Sequence, residues 1–261
     1  MKRSIFETID TYNTLLPANI TSGLWYEPDS HDLYKKNIMK QPRDWHYRTH
    51  HVKYDLNSLG YRTKELNEID WENSIVIFGD SMVFGVGVSE EETISSQIER
   101  MTGIPTINLG ISGASPILTL HNSMLLIQSF PAPKYIVSMW STPSRFAYYN
   151  RDYVFNLGDW TTGKYETLVK EWNDNPYNNL THFKFTVKIT NELWKERTQY
   201  YEFTFFKDVK DILKCDFIAQ IDNGRDMREC DDGVYIAHPG RETYNVTANK
   251  IIDKFNLPRR T

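Results

Sequence analysis

Cysteine is nearly absent: Cys215 and Cys230 are the only two in 261 residues. Two thiols cannot build a disulfide framework or a four-ligand zinc site, so both are expected to be free in a reducing compartment. Long apolar runs are missing as well. None approaches the roughly 18 residues of a membrane span, and Met1 to Glu7 runs into polar and acidic residues where a secretory leader carries an apolar block. The expected setting is the cytoplasm, with association with a virion as the alternative, and no membrane partner. A basic surplus is also lacking, since 30 Lys and Arg stand against 34 Asp and Glu for a net charge of -4. That leaves no electrostatic footprint for nucleic acid. His46, His50 and His51 have no carboxylate or cysteine at a recognised ligand spacing, so neither a metal nor a cofactor is expected. Repeats and low-complexity tracts are absent.

What is present is ordinary core material. With 40% hydrophobic and 14% aromatic residues, the chain can bury one large core. Residues 1–70 carry Trp25, Tyr26, Trp45, Tyr47, Tyr54 and Tyr61 without clean periodicity. They read as an aromatic-rich N-terminal extension packed on a domain of residues 71–261; a surface for stacking carbohydrate is the alternative use of such rings.

From residue 75 onward, short apolar runs alternate with helical patterns. Ile75 to Gly79, Thr106 to Leu109 and Tyr135 to Met139 read as buried parallel strands. Ser89-Glu90-Glu91-Glu92 is a capping-box pattern ahead of a helix whose stripe is Ile94, Ile98 and Met101 and whose stop is Gly103. Further helices are expected over about 116–128, 180–199 and 243–255, with strands over 200–206 and 217–221. Between Arg145 and the 180–199 helix the pattern loosens into an aromatic excursion that can serve as a lid. The alternation predicts an α/β fold: a doubly wound, mainly parallel sheet of about five strands, flavodoxin-like, with the N-terminal extension.

The chemistry is concentrated at strand ends. Gly79-Asp80-Ser81 closes the first strand, where open α/β sheets bind ligands, so Ser81 stands where substrate reaches it. Asp80 is suited to capping the turn. A second pair of glycines, Gly110 and Gly113, follows the second strand, and Asp231-Asp232-Gly233-Val234-Tyr235-Ile236-Ala237-His238-Pro239-Gly240 precedes the last helix. In order and spacing these blocks resemble the SGNH, or GDSL-type, serine hydrolases over roughly Ile75 to Phe255, and Asn57-Ser58-Leu59-Gly60-Tyr61-Arg62 resembles a lead-in of some members. The resemblance implies a sheet of that family's type, Ser81 as nucleophile, His238 as base and the Gly110 amide, beside that of Ser81, in an oxyanion hole.

Two stretches depart from the family pattern. Where the family has Gly-x-Asn-Asp, this chain has Trp140-Ser141-Thr142-Pro143-Ser144-Arg145, so Pro143 replaces an amide donor and Thr142, Ser144 or Arg145 must replace it if anything does. Ser144 is the candidate third oxyanion donor. Arg145, at a strand end, is a candidate for holding an anionic group of the substrate. The family's acid, three residues before the histidine, is here Tyr235. Asp232 is the nearest upstream carboxylate and the candidate acid, with Asp231 and Asp226 behind it.

These residues predict an ester hydrolase acting on a small-molecule or carbohydrate ester. An imidazole takes the serine proton as the hydroxyl attacks the acyl carbon, and amides stabilise the resulting oxyanion. An O-acyltransferase would use the same acyl-enzyme. A non-catalytic binding or structural module, for example in a phage particle, would keep the fold and drop the chemistry.

Overall fold

In a computed structural model of the chain, residues 22–26, 29–149, 154–229 and 235–260 are described. The centre is a five-stranded parallel sheet. Its strands are β1 (Ile75–Gly79), β2 (Thr106–Gly110), β3 (Tyr135–Met139), β6 (Gln199–Thr204) and β7 (Asp216–Phe217), in the order β2-β1-β3-β6-β7. This is the doubly wound order, with the chain reversing direction across the sheet between β2 and β3. All residues of β1, β2 and β3 are buried. Their largely apolar character reflects burial of both faces, with Thr106, Asn108 and Ser138 as buried polar exceptions.

Alternate side chains divide the core. Ile75 and Ile77 face one layer with Ile94 and Ile98 of α3 (Ile94–Thr102) and Tyr244, Ala248 and Ile251 of α8 (Arg241–Lys254). Val76 and Phe78 face the other, with Leu118 and Leu125 of α4 (Pro116–Ser129) and Trp194 of α6 (Pro176–Lys195). Burying each such side chain stabilises the fold by about 1.5–3 kcal/mol. Residues of the N-terminal part belong to both layers: Tyr47, Val52 and Tyr54 to the first, Tyr61, Leu66 and Trp71 to the second. Among the described residues, one α-helix, α1 (His31–Lys40), precedes the sheet.

Several boundaries differ from the expected ones for physical reasons. The Glu92 carboxylate does reach back to the Ser89 amide at 3.0 Å, but Glu90–Glu92 is a single 3-10 turn and α3 starts afresh behind Thr93, whose hydroxyl caps it. Gly103 ends α3 in the left-handed conformation. Pro176 begins α6 four residues earlier than its apolar pattern indicated, because proline suits the first helical position. Strand β7 has only two residues; the chain then leaves the sheet so that the Ile221 and Asp222 amides donate to the Thr243 hydroxyl. The aromatic excursion holds a two-stranded ribbon, β4 (Phe146–Tyr149) against β5 (Val154–Leu157), then α5 (Glu166–Asn173). A short helix, α7 (Lys207–Leu213), follows β6. No helix among the described residues is long and apolar enough to cross a membrane.

Candidate active site

The first strand ends on a glycine because nothing larger fits. A Cβ at Gly79 would lie 2.4 Å from a Val83 methyl, in the one-turn helix α2 (Ser81–Phe84) that follows at once. Asp80 is buried and divides its carboxylate. Oδ1 accepts from the Met82 amide at 2.9 Å and caps α2, while Oδ2 accepts from Arg145 Nη1. Ser81 occupies the first helical position, where an amide has no partner within the helix. Its side chain therefore sits at the carboxyl edge of β1, with the Ser81 N–H left for another acceptor.

Ser81 Oγ lies 2.8 Å from His238 Nε2, and His238 Nδ1 lies 2.6 Å from Asp226 Oδ2. The same carboxylate accepts from the His238 main-chain amide, at 3.2 Å to Oδ1 and 3.3 Å to Oδ2. Asp226 is fully buried and the His238 ring is nearly so. A serine, an imidazole and a carboxylate thus form a continuous chain of hydrogen bonds. The group on the imidazole is Asp226 and not the expected Asp232; Asp232 and Asp231 lie outside the described residues.

Asp226 and His238 are twelve positions apart, and a hairpin closes the gap. Strands β8 (Arg228–Glu229) and β9 (Tyr235–Ile236) pair antiparallel. At the base of the hairpin the Gly224 amide donates to the His238 carbonyl at 2.8 Å and the Gly240 amide to Asp222 at 3.0 Å. The β8–β9 register sets Arg228 against Ile236, and the same count carried two residues on sets 226 against 238. Asp222 then anchors the start of α8, accepting from the Thr243 amide at 2.8 Å and the Glu242 amide at 3.0 Å.

Gly87 is the floor under the acid. A Cβ there would lie 2.6 Å from Asp226 Oδ1 and 3.0 Å from the Arg225 amide nitrogen, and its φ is +82°. Gly87→Ala is accordingly expected to combine about 1–2 kcal/mol of left-handed backbone strain with displacement of the carboxylate. Thermal unfolding should report the first. Loss of catalytic rate at a temperature where the variant is folded should report the second.

The buried carboxylates leave a mark on their surroundings. Burial pushes the Tyr244 hydroxyl well above its usual range, and the charges of Asp226 and Asp80 add to the rise. The loop after α2 is held by Arg62, the buried end of the lead-in. Its guanidinium donates to the carbonyls of Gly85 at 2.7 Å, Lys53 at 2.9 Å and Val88 at 3.0 Å.

The expected oxyanion donors are placed less simply. The Gly110 amide already donates to Asn108 Oδ1 at 3.0 Å, and Asn108 Nδ2 donates to the Val83 carbonyl at 2.9 Å. Gly110 has a packing reason of its own, since a Cβ would meet the Phe84 nitrogen at 2.4 Å. The Gly110 N–H is thus turned to a side chain of its own strand. Ser144 Oγ lies 2.8 Å from Thr142 Oγ1, and the Pro143 carbonyl accepts from Trp172 Nε1 at 3.1 Å. Arg145 is committed to Asp80, with its guanidinium 5.1 Å from the Trp160 ring. It also lines a cleft of about 210 Å³ with Pro143, Phe146, Trp172, Asn179 and His182.

No group of three or more His, Cys, Asp or Glu side chains among the described residues could hold a metal ion. His46 instead meets Glu92 at 2.5 Å and Arg241 at 3.0 Å. Burial pushes the Cys215 thiol up to about 11, far from the thiolate a reactive cysteine needs.

No family model matches the chain, and no curated protein does. Among solved structures, it is similar to a lipolytic protein of the G-D-S-L family from Desulfitobacterium hafniense, at 12% identity and a TM-score of 0.41, covering 69% of this chain and 97% of that one. A member of the lipolytic G-D-S-L family from Veillonella parvula aligns at 15% identity and 0.40, covering 70% and 98%. A protein described as a GDSL-like lipase from Bacteroides ovatus aligns at 15% and 0.37, covering 74% and 57%.

Proposed function

We propose that this protein is an SGNH/GDSL-type serine esterase that removes a small acyl group from a polar, carbohydrate-like ester through an acyl-enzyme on Ser81. The observation that carries the reading is the contact series from Ser81 Oγ to His238 Nε2 at 2.8 Å and from His238 Nδ1 to Asp226 Oδ2 at 2.6 Å. In this reading His238 takes the serine proton as Oγ attacks the acyl carbon. Asp226 holds the ring in the tautomer with its hydrogen on Nδ1 and stabilises the imidazolium that forms. The proton passes to the leaving alkoxide, and water repeats the sequence in reverse to release the acid.

The Ser81 amide serves as an oxyanion donor, and Gly110 joins it by exchanging its bond to Asn108 for one to the substrate oxygen. The acid that Tyr235 left missing is supplied by Asp226, which removes one of the two arguments for a non-catalytic module. Arg145 and the aromatic cleft beside it are suited to orient the alcohol part of the ester.

The test is to incubate the protein with an aryl acetate and, separately, with a fluorophosphonate. Steady release of the aryl alcohol and phosphonylation confined to Ser81 are expected. Neither occurring in folded protein would exclude an esterase. Acetyl transfer to an added sugar faster than to water would replace the hydrolase by an O-acyltransferase.

A further inference from the structure

We infer that Asp29 and Arg225 are positioning residues for the catalytic acid, so that the N-terminal segment, remote in sequence from the site, holds Asp226 against His238. The inference rests on the Ser81–His238–Asp226 reading above. Arg225 precedes the acid directly, and its Nε, its Nη2 and both of its main-chain polar groups are tied down. Its Nε donates to Asp29 Oδ1 at 3.0 Å and its Nη2 to Asp29 Oδ2 at 2.6 Å and to the Leu24 carbonyl at 2.8 Å. The guanidinium lies 4.1 Å from the centre of the Trp25 ring. Its main-chain N–H donates to the Gly87 carbonyl at 2.7 Å, and its carbonyl accepts from Asn37 Nδ2 at 3.1 Å.

Asp29 is itself fully buried and closes a circuit. The Tyr54 hydroxyl donates to Asp29 Oδ2 at 2.5 Å and accepts from the Gly87 amide at 2.9 Å. Asp29, Arg225, Gly87 and Tyr54 therefore form one ring of contacts, and Asp226 sits on two of its members: bonded in sequence to Arg225 and packed on Gly87. A buried carboxylate with so short a bond to an imidazole needs its backbone fixed to within a fraction of an ångström, because geometry decides proton transfer. Part of that fixing comes from Leu24, Asp29, Asn37 and Tyr54 of the N-terminal segment.

The decisive experiment compares Asp29→Asn with Asp226→Asn and with Arg48→Ala. Arg48 ties the carbonyls of Ile38, Gln41 and Pro42 together and does not touch the ring of contacts. In folded Asp29→Asn, kcat on an aryl acetate should fall about ten- to a hundred-fold with KM unchanged. The acid limb of the kcat/KM profile should move to lower pH, since a carboxylate held less closely stabilises the imidazolium less. Arg48→Ala should lower the melting temperature and leave both kinetic readouts alone.

Wild-type kcat and pH profile in Asp29→Asn, beside a large loss in Asp226→Asn, would overturn the positioning role and leave the triad standing. An equal kcat loss in Arg48→Ala would also overturn it, by reducing the effect to general loosening. Activity retained in Asp226→Asn would instead overturn the triad reading beneath it. Should Asp29→Asn not fold, Tyr54→Phe removes only the hydroxyl joining Asp29 to Gly87. It should show the same kcat and pH signature at several-fold size, and its absence would overturn the inference.

Discussion

Ser81→Ala should lower turnover of an aryl acetate by at least about 10⁴-fold while leaving the melting temperature close to that of the parent. Residues that act as one unit in serine hydrolysis each cost nearly the whole catalytic effect when removed. The substitution deletes a single oxygen at the start of α2, where the capping bond is made by Asp80 and not by Ser81, so the fold has little to lose. For the same reason His238→Ala should be as inactive as Ser81→Ala, and the double variant no worse than either. Stopped assays at high enzyme concentration, with melting curves beside them, read both quantities. Residual turnover near the parent level in folded Ser81→Ala would move the chemistry to another group.

The second large effect belongs to the acid. Asp226→Asn should cost several powers of ten in kcat, because a neutral amide beside Nδ1 can present its NH2 and leave the ring hydrogen on Nε2, the atom that has to accept the serine proton. One oxygen remains to accept from the His238 main-chain amide, so the hairpin should survive. Asp232→Asn, and likewise Asp231→Asn, should change the rate by less than about ten-fold, a barrier difference of roughly 1.4 kcal/mol. A large loss confined to one of those two would transfer the role of acid to the tip of the hairpin.

The architecture could be read from the residues because its signals are local. Ile75–Gly79 and Tyr135–Met139 were legible to the residue, since a buried parallel strand is a bounded apolar run and each is flanked by turn formers. Ser81 was legible for the same reason: the strand, the glycine and the serine are contiguous. The short β7 was overextended because its apolar residues continue beyond the point where hydrogen bonding to β6 stops. α7 carries only Val209 as a buried residue, too little for periodicity to register.

Proximity in sequence points to Asp232, whereas a hairpin measures distance by register and sets Asp226 on the imidazole. Asp226 stands behind Asp232 and Asp231 among the upstream candidates. One cue toward it is the glycine at 224, two residues before Asp226. Asp29, Arg225 and Asn108 carried no signal of function at all. A buried ion pair 196 residues apart leaves no local pattern, and an asparagine inside a strand reads as a flaw in the apolar run.

The hairpin also sets an order of events in folding. The contact between Asp226 and His238 closes a span of 12 residues, whereas that between His238 and Ser81 closes one of 157. Loop closure and hairpin formation take place on about the microsecond scale, while long-range parallel pairing is slow. On refolding, the imidazole and carboxylate can therefore meet while the serine is still far away. Recovery of activity is then a clock for completion of the central sheet, later than any probe attached to the hairpin alone.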